Sequence, residues 1–464
     1  MNQSGKNDRM AETPVKKLML IMGVPMIISL MLQALYNIVD SAFISNMKEN
    51  GELALNALTL AFPFQMLMIA IAIGTGIGTN VLVAKSLGQG DRERASQAAG
   101  NAQFLALVIY IVFLLFGIFG VRFYISTQTS NPVVYDMAVR YLTVCCVVSP
   151  GITFFAIYEK LLQSDGHPIC STIAQITGAV TNIILDPIMI YGWLGCPAMG
   201  AAGAAYATVI GQCVSWLLAF IFHLKFNKNI SKKISYCKPS ARVIKDIYSI
   251  GLPAIIAQAL MSVMTYGLNI ILVSVSEAMV TAYGLFYKIQ QFILFAAFGL
   301  RDAITPIVSF AYGMGNKKRI DGGIKYGLLY TVIILLAGTA LTEALALPFS
   351  SVFSLSGETQ SLFVSAMRII SVSFIFAGIN IALQGVFQAL NGGIESLIVS
   401  VCRQLVFVLP IAWGFAVITQ KTAASSRIIW LTFPIAEIAT ALIACFLLKK
   451  IRKKINTPKI AGRQ

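Results

Sequence analysis

Gln33, Tyr36, Asn37 and Asp40 sit within one apolar run at spacings of 3 and 4, which sets them on a single helical face ending in a carboxylate. A second run repeats the pattern with Gln175, Asn182 and Asp186 at spacings of 7 and 4, and Pro187 follows directly. Proline has no N–H for the carbonyl four residues back, so the oxygen of Ile183 is left as a free acceptor beside the acid. At 1.5 Å per residue Asp40 lies about 35 Å beyond Lys17, and Asp186 about 29 Å beyond His167. Thr208, in a run of opposite direction, comes to a similar level about 13 Å from its outer end. Asp40, Asn182, Asp186 and Thr208, with the freed carbonyl, form an all-oxygen set suited to a hard cation such as Na⁺ or to protons. Gln33, Tyr36, Asn37 and Gln175 are expected to line a polar cleft nearby. Two acids this close would be proton-sensitive. The plainer alternative is that they share one proton and only hold helices together.

The elements that carry these residues follow from composition. Of 464 residues 57% are hydrophobic and 12% charged, and the mean hydropathy is +0.78, which excludes a soluble protein. Twelve spans are predicted, at 15–45, 53–86, 93–120, 133–161, 168–191, 199–224, 243–275, 279–312, 318–346, 359–389, 394–418 and 427–449. They must be helices, because about 20 apolar residues cross the hydrocarbon and every backbone polar group has to be satisfied within the segment. Polar segments between spans are no longer than roughly 20 residues, too short for a separate catalytic domain. With the N-terminus inside, 26 Lys and Arg fall on cytoplasmic segments, Lys160 among them, against 5 outside (Lys48, Arg122, Arg140, Lys421, Arg427). A multi-pass protein of the cell membrane with both termini cytoplasmic is expected. The net charge of +16 is therefore topological, and lipid rather than nucleic acid is the expected surrounding. The polar N-terminus and long first run argue for a retained span rather than a signal peptide.

The chain reads as a duplication. LIMGVPMIIS at 20–29 answers YSIGLPAIIA at 248–257, KSLGQGDRER at 85–94 answers FAYGMGNKKR at 310–319, and LLQSDG at 161–166 answers VFQALNG at 386–392, with offsets of 228, 225 and 225 to 226. Six spans per copy gives both copies the same orientation, hence an axis along the membrane normal. The expected fold is all-α, with a six-helix bundle at 1–224, a basic cytoplasmic linker at 225–245, and a second six-helix bundle with a basic tail at 246–464. Two bundles around a cleft are the architecture of an alternating-access transporter.

The second copy lacks the acidic stripe. Its in-span charges include Arg301 beside Asp302, Glu343, Arg368, Arg403 and Glu437, and an internal ion pair of Arg403 with Glu437 is the expected arrangement. Enzyme signatures fail: there is no GxxxxGK[ST], no GxSxG, and two His cannot form HExxH. Gly88-Gln89-Gly90-Asp91 with Tyr135-Asp136 superficially resembles the acidic pair of intramembrane aspartyl proteases. The order is reversed and the second copy has Asn316 at that position, so helix stops capped by Asp91 and Asn316 are the better account. Eight Cys without CxxC spacing read as small core residues. No catalytic residue and no cofactor is expected.

QALYNIVDSAFIS at 33–45, the stretch from ALTLAFPFQM to VAKSLGQGDRERA at 57–95, LQSDGHP at 162–168, NIILDPIMIYG at 182–192 and GAAGAAYATVIGQ at 200–212 resemble the multidrug and toxic compound extrusion (MATE) family, its DinF-like branch above all. The resemblance covers nearly the whole chain. It implies xenobiotic efflux and drug resistance: amphipathic, often cationic small molecules exported against inward Na⁺ or H⁺. By motif it implies Asp40, Asn182, Asp186 and Thr208 as cation ligands and Pro25 as the bend point of the first span, with Pro187 a second bend. The NorM-like branch also uses acids in the second bundle, and no clean match stands here. A monomer is expected. The alternative is a lipid-linked oligosaccharide flippase of related fold, which calls for several cations in the first bundle's spans.

Overall fold

The computed structural model describes residues 9–47, 51–148, 150–353, 355–422 and 425–456, the side chains at 36–38, 41, 45, 52, 352 and 455–456 excepted. The first half holds α1 (Arg9–Glu12), α2 (Val15–Ser45), α3 (Gly51–Gly88), α4 (Arg92–Phe119), α5 (Val121–Ser126), α6 (Pro132–Val147), α7 (Pro150–Ser164), α8 (Pro168–Tyr191) and α9 (Ala201–Phe226). The second holds α10 (Ala241–Val273), α11 (Glu277–Gly313), α12 (Lys317–Val352), α13 (Gly357–Ser371), α14 (Phe374–Ala389), α15 (Gly393–Val401), α16 (Val408–Thr422) and α17 (Thr432–Asn456). Among the described residues ten helices are long and apolar enough to cross a membrane by themselves, and two bent pairs bring the number to 12. The fold is that of two six-helix bundles.

Three predicted spans are not straight, because hydropathy is blind to a break. The span at 133–161 is α6 and α7 meeting at 45°, with Pro150, which has no N–H to give, opening α7. The span at 359–389 is α13 and α14 at 51°. There Ser371 and Ser373 turn their hydroxyls back to the carbonyls of Arg368 and Ile370, at 3.1 and 2.6 Å, in competition with the helical ladder. In the span at 394–418 a π turn, Cys402–Val406, separates α15 from α16, and Phe407 N–H reaches back five residues to Cys402 at 3.1 Å. Lys160 is also not on a loop. It lies inside α7 at 3% exposure, which leaves 25 Lys and Arg on the segments expected to be cytoplasmic against 5 on those expected outside. Of the basic residues counted, Lys6, Lys48, Lys459 and Arg463 lie outside the described residues.

The glycine pairs of the repeat do two separate things. Gly90 and Gly315 take φ of 76° and 66°, turning the chain so that Asp91 and Asn316 cap α4 and α12 through the N–H of Arg94 and Arg319, at 2.9 and 3.1 Å. Gly88 and Gly313 allow two helices to touch: a Cβ on Gly88 would stand 2.1 Å from the carbonyl oxygen of Phe310, and one on Gly313 would stand 2.1 Å from that of Lys85. Lys85 and Phe310 are themselves 225 apart, so α3 and α11 cross at equivalent points.

Buried apolar side chains divide in a way that defines the shape. Two clusters are common to both halves: one runs from Met10, Leu18 and Leu82 of the first to Ile304, Phe310 and Ile324 of the second, at the ends that carry the basic segments, and a small one joins Ile77 and Val81 to Ile250 and Ala254. Two others are private: Ile44, Met68, Phe113 and Ile190 within the first half, and Leu272, Tyr283, Phe363 and Trp430 within the second. The halves are joined at the ends that carry the basic segments, and at the opposite ends each packs on itself. Phe119, Phe123 and Leu442, 76%, 76% and 70% exposed, are the kind of side chain that lipid solvates.

Candidate functional site

A polar seam fixes α2 against α8. Near its inner end Thr172 donates its hydroxyl to the carbonyl oxygen of Pro25 at 3.0 Å. One turn outward Ser29 donates to Gln175 Oε1, and Gln175 Nε2 donates to Gln33 Oε1 at 2.9 Å. Gln175 thus uses both ends of its amide on one neighbouring helix, which fixes the register of the two helices. At the outer end Tyr191 donates to the carbonyl of Phe43. Both helices run through their internal prolines, Pro25 and Pro187. Tyr36 and Asn37 lie on α2, but their side chains fall outside the described set.

Small residues bring α9 onto α8. A Cβ on Gly178 would meet the carbonyl oxygen of Gly211 at 2.4 Å, one on Gly211 would meet that of Gly178 at 2.6 Å, and one on Gly203 would meet that of Met189 at 2.3 Å. Backbone contact of this kind is what a small-residue stripe provides in a bilayer, and it sets the intervening Thr208 within reach of Asn182. Asn182 then spends its two amide hydrogens, one on Asp186 Oδ1 at 3.3 Å and one on Thr208 Oγ1 at 3.4 Å. Both bonds are long.

Three oxygens remain. Asp186, 0% exposed, keeps Oδ2 without a partner; so does Asn182 with Oδ1, and Asp40 with Oδ1. Asp40, at the outer part of α2, lies within electrostatic reach of Asp186. A buried carboxylate oxygen with nothing to accept is costly, by several kcal/mol if the group is ionised. Acceptors of this kind suit a proton or a small hard cation. Among the described residues there is no group of three His, Cys, Asp or Glu able to hold a metal.

The structure brings Gln33 together with Gln175, and Asn182 with Asp186 and Thr208. Sequence spacing missed Ser29 and Thr172, although Ser29 stands four residues before Gln33 and Thr172 three before Gln175, which extends both stripes by a turn. Also missed was a polar cluster near Asp40. Gln65 donates there to Tyr141 Oη at 3.2 Å and to Cys145 Sγ at 3.3 Å, and Cys145 lies within electrostatic reach of Asp40. In the second half Arg403 Nε donates to Glu437 Oε1 at 2.6 Å, and Asn380 donates to Glu437 Oε2 at 2.7 Å.

The MatE family model matches residues 25–188 and 253–413, one segment in each half. The multidrug export protein MepA of Staphylococcus saprophyticus is 24% identical over 448 residues, covering 97% of this chain and 96% of its own. MepA of Staphylococcus aureus is 24% identical over 454 residues, 96% of each. Among solved structures, the outward-facing conformation of a multidrug resistance MATE family transporter of the MOP superfamily aligns at a TM-score of 0.89 with 24% identity, over 97% of this chain and 100% of that one. A MOP superfamily transporter from Pyrococcus furiosus, described as having a binding pocket of reverse polarity that suggests a different function, aligns at 0.86 with 26% identity, over 98% and 99%.

Proposed function

The chain belongs to the MatE family, and from that premise we propose that it is a secondary active multidrug efflux antiporter, exporting amphipathic, often cationic compounds in exchange for Na⁺ or H⁺. The export name comes from the MepA relatives, which the chain matches over nearly their whole length. The observation that carries the coupling is the trio of unpartnered oxygens on Asp40, Asn182 and Asp186. With Thr208 these residues are the ion's ligands, or its proton acceptors.

The cycle needs only differential affinity. An empty site carries two carboxylates within reach of each other; a proton or Na⁺ removes that repulsion and lets α2 and α8 close together around it. That rearrangement, with Pro25 and Pro187 as bend points, alters the cleft of the first bundle and weakens its hold on the drug. Residues 1–224 and 246–464 move as two bodies on the linker at 225–245, and the basic segments keep both termini in the cytoplasm. The flippase alternative calls for free cations along the first bundle. Among the described residues its one buried lysine, Lys160, is already tied to Asp302.

The test is ethidium efflux from proteoliposomes with Na⁺ and H⁺ gradients imposed separately. Efflux driven by one gradient and abolished by Asp40→Asn is the expected result. Movement under neither gradient, from folded and correctly oriented protein, would overturn the assignment.

A further inference from the structure

Lys160 of α7 and Asp302 of α11 come from different halves and meet at the inner, shared end of the molecule. Lys160 Nζ lies 2.8 Å from Asp302 Oδ2, with the two side chains 4% and 13% exposed. The same ammonium donates to Gln163 Oε1 at 3.0 Å and stands 3.9 Å from Glu159 Oε1, both on its own helix. Asp302 uses its other oxygen for Arg301, which donates through Nε and Nη2 at 3.1 and 2.9 Å. One carboxylate thus holds a cation from each half.

The two cations reach it by mirrored means. Lys160 lays its stem over Gly76 of α3, where a Cβ would stand 3.0 Å from Lys160 Cγ. Arg301 lays its stem over Gly385 of α14, where a Cβ would stand 2.8 Å from Arg301 Cγ. Positions 76 and 301 are repeat equivalents at an offset of 225, and so are 160 and 385. Each half therefore uses the same two positions, with cation and glycine exchanged between them.

A buried pair that serves cohesion alone is replaceable by packed apolar side chains, and breaking it usually leaves a bare charge. Here neither charge would be left bare. If α7 drew away from α11, Asp302 would keep Arg301, and Lys160 would keep Gln163 with Glu159 beside it. A bridge so built holds while closed and does not oppose opening with two desolvated, unpaired ions.

We propose that Lys160 and Asp302 are positioning residues for transport, forming a charge latch that holds the halves together at the cytoplasmic end and opens by Lys160 passing to Glu159 while Asp302 keeps Arg301. This rests on the antiporter operating by alternating access.

The test is a distance between spin labels at Arg92→Cys and Lys317→Cys, equivalent exposed positions at the inner ends, in protein whose eight native cysteines are replaced, reconstituted in lipid. Wild type should show a short and a long population. In Lys160→Met the long-to-short ratio should rise at least about tenfold, and in Lys160→Arg it should return to within about twofold of wild type. Should Lys160→Met not give monodisperse protein, Lys160→Gln carries the same comparison. An unchanged ratio in the neutral variant, or no restoration by arginine, overturns the latch while leaving two-state movement intact. A single distance in wild type under every gradient and ligand overturns alternating access, and the latch with it.

Discussion

Gly88 and Gly313 are each pressed against a backbone carbonyl of the other's helix, with 2.1 Å left where a Cβ would stand. Backbone atoms cannot swing aside as a side chain can, so this crossing admits glycine alone.

Replacing either glycine with alanine should force α3 and α11 apart. Overpacking of this kind costs about 1–3 kcal/mol, and the melting temperature of the purified protein should fall by several degrees for Gly88→Ala and again for Gly313→Ala. A melting temperature equal to that of wild type in both would mean that the helices separate without penalty.

Asp40→Asn and Asp186→Asn should each reduce gradient-driven efflux at least about tenfold while membrane insertion and yield are preserved. Asp186→Asn should also leave thermal stability equal or raised, because it removes a buried carboxylate oxygen that nothing satisfies. Full drug resistance in cells expressing either variant would remove these acids from the mechanism.

Gln175→Leu should strand two partners, since Ser29 and Gln33 both bond to that amide. Unsatisfied buried groups cost roughly 1–3 kcal/mol each, so the variant should be clearly less stable in a thermal melt. The pair Gln33→Leu with Gln175→Leu should regain part of the loss. Absence of any coupling between the two changes would show the seam to be incidental.

Arg403→Met should be more damaging than the joint change Arg403→Met with Glu437→Met. The single variant leaves the Glu437 carboxylate buried with only Asn380 to support it, a situation worth about 3–5 kcal/mol when a buried pair is broken. Equal stabilities for the single and joint variants would mean that Glu437 is satisfied without the arginine.

His167, at the start of α8, is held below its ordinary value of 6.5, first by burial and then by the charge of Arg9. A histidine lowered on folding contributes stability that is present above pH 6.5 and is lost as pH falls through the folded value. The melting temperature should therefore drop between neutral and mildly acidic pH, and His167→Gln should flatten part of that slope. An identical slope in the variant would assign the acid sensitivity elsewhere.

The spans and the acid stripe were legible because both are local. Twenty apolar residues announce a helix by themselves, and Asn182 with Asp186 share a face through a four-residue spacing that any helix imposes. Asp40 and Thr208 joined them through depth, which the rise per residue supplies. The bends between α6 and α7 and between α13 and α14 leave hydropathy untouched and so left no mark in it. Lys160 was invisible for another reason. It stands close before the polar LLQSDG turn, and its partner Asp302 is 142 residues away in the other half. No spacing rule links two helices that come from different halves.

The exchange of cation and glycine between positions 76, 160, 301 and 385 has a consequence for how the two copies relate. Repeat symmetry pairs position 302 with Ile77. A dimer of two first halves would therefore turn each Lys160 toward an isoleucine, and a dimer of two second halves would bring together acids already matched to arginine with no lysine to span the gap. The halves have become complementary rather than interchangeable. Covalent fusion, which guarantees one of each, is what keeps the inner end electrically closed.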